Sequence, residues 1–188
     1  MIVVVMNGGS GSSRPKDERM DAVVQRELPH GTIVYVANNT FLGHRQARRV
    51  RKILKLTQRP EETCLLVGKS AGGYTLIVKV LNQLPRLSFK RIHLLTVDPC
   101  FPKLWDWRPD RSQETLLIHE GRVDRAVNLL SAAGSRPRGF RVDGPPGIEV
   151  VTTEDHFSIT TCPRVRREVG DLVHMLQGWE DLDMGDIL

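Results

Sequence analysis

Ser70 sits in Gly68-Lys69-Ser70-Ala71-Gly72, where an apolar run (residues 64–67) meets a helical pattern at a G-x-S-x-G turn. That context holds a serine on a sharp strand-to-helix turn with its hydroxyl exposed above a sheet. Glycines at 68 and 72 suit a turn in which backbone crowds backbone, because a Cβ at either position would clash. Serine is a weak nucleophile at neutral pH. It needs a base to take its proton, an acid to orient that base, and N–H donors for a developing oxyanion.

The base expected from chain order is His156, in Glu154-Asp155-His156-Phe157-Ser158. Of six histidines it alone follows the last expected strand and precedes the last expected helix. His93 and His119 fall in strand-like runs, His30 and His44 precede the serine, and His174 lies in a helical pattern. Two acids compete. Asp98 ends the apolar run after the serine turn, just before Pro99, where it could also cap a turn. Asp124 follows the next apolar run, where Arg122 or Arg125 could hold it as a surface partner. On the residues alone both stay open. The oxyanion donors expected are the N–H of Ala71 and that of Gly9, in the loop Asn7-Gly8-Gly9-Ser10, since glycines let backbone amides face a ligand.

Other chemistries fit less well. Gly68-Lys69-Ser70 resembles the end of a phosphate-binding loop, but the motif's first glycine would fall on Thr63 and residues 64–67 are strand material. A dinucleotide fingerprint starting at Gly9 would need glycine where Arg14 stands. Cys64, Cys100 and Cys162 show no CxxC spacing, which argues against a zinc site or a disulfide framework and favours a reducing compartment. Neither a metal nor an organic cofactor is expected.

The elements that must position these groups alternate. Strands are expected at 2–6, 32–37, 63–67, 91–97, 115–119 and 148–152. Helices are expected up to Glu27, over 44–55, over 74–84 and over 163–177. This alternation predicts an α/β fold: a three-layer α/β/α sandwich with a mostly parallel central sheet of about six strands. Functional groups on such a sheet gather outside the carboxyl ends of its strands. Residues 1–178 read as a single domain and 179–188 as a loosely held acidic tail. Residues 99–109 read as a long loop in which Phe101, Trp105 and Trp107 hint at an apolar wall.

With 188 residues and 40% hydrophobic content, the chain can bury a sizeable core. Its formal charge of +5 is concentrated in 44–55, where Ala47, Val50 and Leu54 form an apolar stripe opposite the arginines. No aromatics interleave with those arginines, which argues against a nucleic-acid stacking surface. The apolar run at 1–6 is too short to span a membrane and lacks the basic start and cleavage pattern of a leader, so a soluble, cytoplasmic protein is expected.

Taken together, these residues resemble the α/β-hydrolase superfamily, specifically its small lipase- and esterase-like members. The matches are the first strand with Asn7-Gly8-Gly9-Ser10, the turn Gly68-Lys69-Ser70-Ala71-Gly72, the strand ending in Val97-Asp98-Pro99, and Asp155-His156-Phe157-Ser158-Ile159. Residues 125–130 followed by 139–142 look like the linking region of lipase-like relatives whose acid follows the earlier strand, and this favours Asp98 over Asp124. The resemblance spans nearly the whole chain and implies a sheet that begins at the family's third strand. It also implies a site with no helical cap, open to a small-molecule or lipid-like ester. The expected function is ester hydrolysis through Ser70, His156 and Asp98. The contrasting expectation is a catalytically silent binding or regulatory protein on the same fold.

Overall fold

The computed structural model describes residues 1–8, 15–38, 43–100, 115–132 and 139–185, with 177–185 given as backbone. The elements run β1 (Ile2–Asn7), α1 (Met20–Glu27), β2 (Ile33–Asn38), α2 (His44–Thr57), β3 (Thr63–Lys69), α3 (Ala71–Thr75), β4 (Arg91–Val97), β5 (Thr115–Leu117), β6 (Arg125–Leu130), β7 (Arg141–Asp143), β8 (Gly147–Val151) and α4 (Pro163–Gly185). The protein is α/β. Its central sheet has six strands in the order β2-β1-β3-β4-β6-β8, all paired in parallel.

Parallel strands covered on both faces read as continuous apolar runs, as in Val3-Val4-Val5-Met6 and Cys64-Leu65-Leu66-Val67. Successive side chains point to opposite faces, so each run feeds two cores. Val4, Met6, Leu66 and Leu94 pack with Ala47, Val50 and Leu54 of α2 and with Leu76 and Ile77 beyond α3. Val3, Val5, Leu65, Val67 and Leu95 pack on the other face with Val23 and Val24 of α1 and Val165, Val169 and Val173 of α4. Each fully buried Val, Leu, Ile or Met among them contributes about 1.5–3 kcal/mol relative to exposure. Among the described residues, no helix is long and apolar enough to cross a membrane.

Four sequence expectations change. The run at 115–119 is not the fifth strand of the main sheet. Only Thr115–Leu117 is extended, and it pairs with β7 in a separate two-stranded sheet. The fifth strand is β6, in the segment read as a linker, because Ala126-Val127-Asn128-Leu129-Leu130 is buried throughout whereas Thr115 and Leu117 are exposed. The helix after Ser70 begins at Ala71 and changes character, passing through a π-helical turn (Leu76–Val80) and a 3₁₀ turn (Leu81–Gln83). Finally, α4 runs on to Gly185, through most of the segment expected as a loose tail.

Register aligns the carboxyl ends of the middle strands. Met6 pairs with Gly68, Lys69 with Val97, and Val97 with Leu129. The residues that follow β3, β4 and β6 therefore emerge side by side along one rim.

Candidate active site

Three adjacent strands deliver Ser70, Asp98 and Ser131 to that rim, and the segment after β8 delivers His156. Ser70 follows β3 directly, with φ 54° and ψ −131°. A β-carbon tolerates this region poorly, so surrounding contacts must hold it. The Ser70 N–H donates to the Val97 carbonyl at 2.9 Å, and its carbonyl accepts from Gly73 N–H at 3.0 Å and Cys100 N–H at 3.1 Å. The turn closes only because glycines line it. A Cβ on Gly72 would overlap the Met6 carbonyl, one on Gly68 would lie 2.5 Å from the Gly73 Cα, and one on Gly8 would lie 2.7 Å from the Ser70 Cβ.

Asp98 also has a positive φ, 49°, and its N–H donates to the Leu129 carbonyl at 2.6 Å. Its carboxylate has no solvent exposure. Oδ1 accepts from Ser131 N–H at 2.9 Å, Ser131 Oγ–H at 2.9 Å and Gly139 N–H at 2.7 Å. Oδ2 is hydrogen-bonded to His156 Nδ1. Burial by itself would raise this carboxyl's pKa. The hydrogen bond and charge of His156, the Lys69 ammonium and the Ser131 N–H outweigh it and hold the group below the usual aspartate value.

His156 Nε2 lies 3.0 Å from Ser70 Oγ, which completes a chain from Asp98 through the imidazole to the hydroxyl. Its loop is fixed locally and at long range. The Asp155 carboxylate accepts from Phe157 N–H at 2.6 Å and Ser158 N–H at 2.8 Å, a turn that aspartate side chains favour. Those two bonds hold the Asp155 carboxyl below its usual pKa. Ala132 N–H donates to the Glu154 carbonyl at 2.7 Å, and Lys69 Nζ donates to the His156 carbonyl at 2.6 Å. The Phe157 ring meets the imidazole edge-on at 5.3 Å. A crevice of about 320 Å³, open mouth included, reaches Ser70 between Gly8, Arg19, Met20, Lys69, His156 and Phe157.

The structure thus brings together Ser70, Asp98 and His156 and sets Asp124 apart. Asp124 precedes β6, at the opposite end of the sheet. Its N–H donates to the Ile92 carbonyl at 2.8 Å and its Oδ2 accepts from Ile92 N–H at 2.6 Å, clipping β4 to the start of β6. Ala71 opens α3 beside Ser70, where a first-turn N–H has no intrahelical acceptor. Gly9 lies outside the described residues, as do Phe101, Trp105 and Trp107.

Several residues at the site were not foreseen. Ser131 and Gly139 hold the Asp98 carboxylate, and Ser131 could have been found once 125–130 was read as a strand. Cys100 Sγ lies 3.2 Å from Ser70 Oγ, and burial pushes its thiol pKa up. Lys69, buried beside the serine, ties the turn to the histidine loop. Among the described residues, no group of three or more His, Cys, Asp or Glu side chains could hold a metal ion. No known protein-family model matches the chain. No curated protein sequence matches it either.

Proposed function

We propose that this chain is a serine hydrolase of the minimal α/β-hydrolase kind, a three-layer sandwich cleaving esters through Ser70, His156 and Asp98. The observation that carries the reading is the relay itself. Ser70 Oγ is 3.0 Å from His156 Nε2, His156 Nδ1 is bonded to a fully buried Asp98 carboxylate, and the serine stands on a positive-φ turn. With Asp98 accepting the Nδ1–H, Nε2 carries no proton of its own and faces the Ser70 hydroxyl as an acceptor.

Ser70 Oγ attacks the ester carbonyl carbon while its proton passes to His156 Nε2. The carbonyl oxygen becomes an oxyanion facing the Ala71 N–H, a type of donor worth about 3 kcal/mol in rate. Breaking the ester C–O bond leaves an acyl group on Ser70, and the Nε2 proton goes to the leaving alcohol. A water then gives its proton to Nε2 and attacks the acyl carbon; the bond from that carbon to Ser70 Oγ breaks, the Nε2 proton returns to Oγ, and the acid is released. Second-donor duty is assigned to the loop after β1, from Gly8 into Gly9. The buried thiols of Cys64, Cys100 and Cys162, none of them in a disulfide, fit a reducing, cytoplasmic setting.

A fluorophosphonate probe tests this directly. Folded wild-type protein is expected to be labelled, and Ser70→Ala and His156→Ala are expected not to be. Absence of labelling in folded wild-type protein sinks the enzymatic reading and leaves a binding protein on this fold. A series of p-nitrophenyl esters of increasing chain length then reads out the acyl preference.

A further inference from the structure

The α2 helix carries six Lys or Arg residues and no Asp or Glu over His44–Thr57. Its buried stripe, Ala47, Val50 and Leu54, is used up against the sheet. On the opposite face Arg45, Arg49, Lys52 and Leu56 follow at i, i+4, i+7 and i+11, which stacks them along a single outward line. Arg48 and Lys55 flank that line and are also exposed. Among the described residues, no carboxylate lies within ion-pair distance of these five cations. The helix also places His44 and Arg45 in its first turn, the end where its dipole favours anions, and Gly43 supplies no side-chain cap. At the carboxyl end of this cationic line, next to Lys55 and one turn past Lys52, Leu56 is 71% exposed.

We infer that the outward face of α2 is a docking surface for a phospholipid bilayer rich in anionic headgroups. The cations would sit at headgroup depth, their long stems spreading over the interface, while Leu56 would enter the acyl boundary. An exposed leucine on a helix whose sequence carries no Phe, Trp or Tyr suits a lipid surface better than a nucleic acid, whose bases call for stacking partners. The inference concerns binding alone and stands independently of the chemistry proposed for Ser70.

Vesicle co-sedimentation tests it, using full-length protein with phosphatidylcholine vesicles either pure or containing about a third phosphatidylserine. Binding is expected only to the anionic vesicles, and it should fall away between about 0.05 M and 0.5 M salt. Each surface cation is worth about fivefold in partitioning, so R45Q/R49Q/K52Q should bind about 100-fold more weakly. The control R86Q/R166Q/R167Q lowers the net charge equally and should change binding by less than about threefold. Leu56→Ser, which leaves the charge intact, should weaken binding several-fold. All these positions are exposed, and circular dichroism checks that the variants fold. No binding to anionic vesicles overturns the inference, as does equal loss in both triple variants. Displacement by duplex DNA with Leu56→Ser silent overturns it in favour of a polyanion-binding face.

Discussion

Asp98→Asn is the substitution whose effect the geometry dictates most tightly. An asparagine there has one carbonyl oxygen and one NH₂ to distribute between the two carboxylate positions. The Oδ1 position faces two backbone N–H groups, from Ser131 and Gly139, as well as the Ser131 hydroxyl. Placing the NH₂ there would strand both N–H donors, at about 1–3 kcal/mol each. The amide oxygen therefore takes that position, and the NH₂ faces His156 Nδ1. To accept from it, Nδ1 must give up its proton, and the hydrogen moves to Nε2. The imidazole then donates toward Ser70 where it should accept, and it cannot take the serine proton. Loss of the working tautomer costs about 10⁴-fold in rate, or about 5.5 kcal/mol of transition-state stabilisation at 1.36 kcal/mol per decade. The assay is the second-order rate of fluorophosphonate labelling, alongside turnover of the best p-nitrophenyl ester, with thermal unfolding to show that the variant is folded. Asp124→Asn is the matched control. An asparagine oxygen can still accept from Ile92 N–H, so its labelling rate should stay within about threefold of wild type. A folded Asp98→Asn protein that labels within tenfold of wild type would refute the reasoning, as would an equal loss in Asp124→Asn.

Two further outcomes concern the scaffold. His93, buried on β4, has neither ring nitrogen hydrogen-bonded among the described residues, and burial lowers its pKa from 6.5. The unfolded chain therefore binds a proton that the folded chain resists. The His93 contribution to stability is flat well above pH 6.5 and declines as pH falls through that value toward the depressed folded one. His93→Leu, close to volume-conserving, should stabilise the protein by about 1 kcal/mol at neutral pH and by more at pH 5. Urea denaturation at both values checks this, and an equal difference at the two would contradict it. Gly72→Ala should prevent the turn from closing, because its Cβ has no room against the Met6 carbonyl. The expected result is a loss of several kcal/mol in stability, or insoluble protein, and a folded, fully labelled variant would show that the turn is looser than described.

Local signals made much of this molecule legible in its sequence. The glycines flanking Ser70, the apolar runs of β1, β3 and β4, the 47/50/54 stripe of α2 and the position of His156 after the last strand are each written within about a dozen residues. Backbone sterics and side-chain periodicity act over that range. What the chain alone left open was the acid, because Asp98 and Asp124 both stand beside an apolar run. Deciding between them required knowing which run occupies the place beside β4. Parallel pairing of β6 with β4 is a long-range contact with no local mark, and the polar Asn128 in its middle disguised the strand. Asn128 is tolerated there because its amide accepts from the Thr96 hydroxyl and donates to the Phe140 carbonyl. Once β6 is in place, Ser131 comes to the rim to hold the Asp98 carboxylate, and Asp124 is carried to the far end. Chain order thus determined which residue types could form a relay, and tertiary hydrogen bonding between distant strands decided which aspartate joins it.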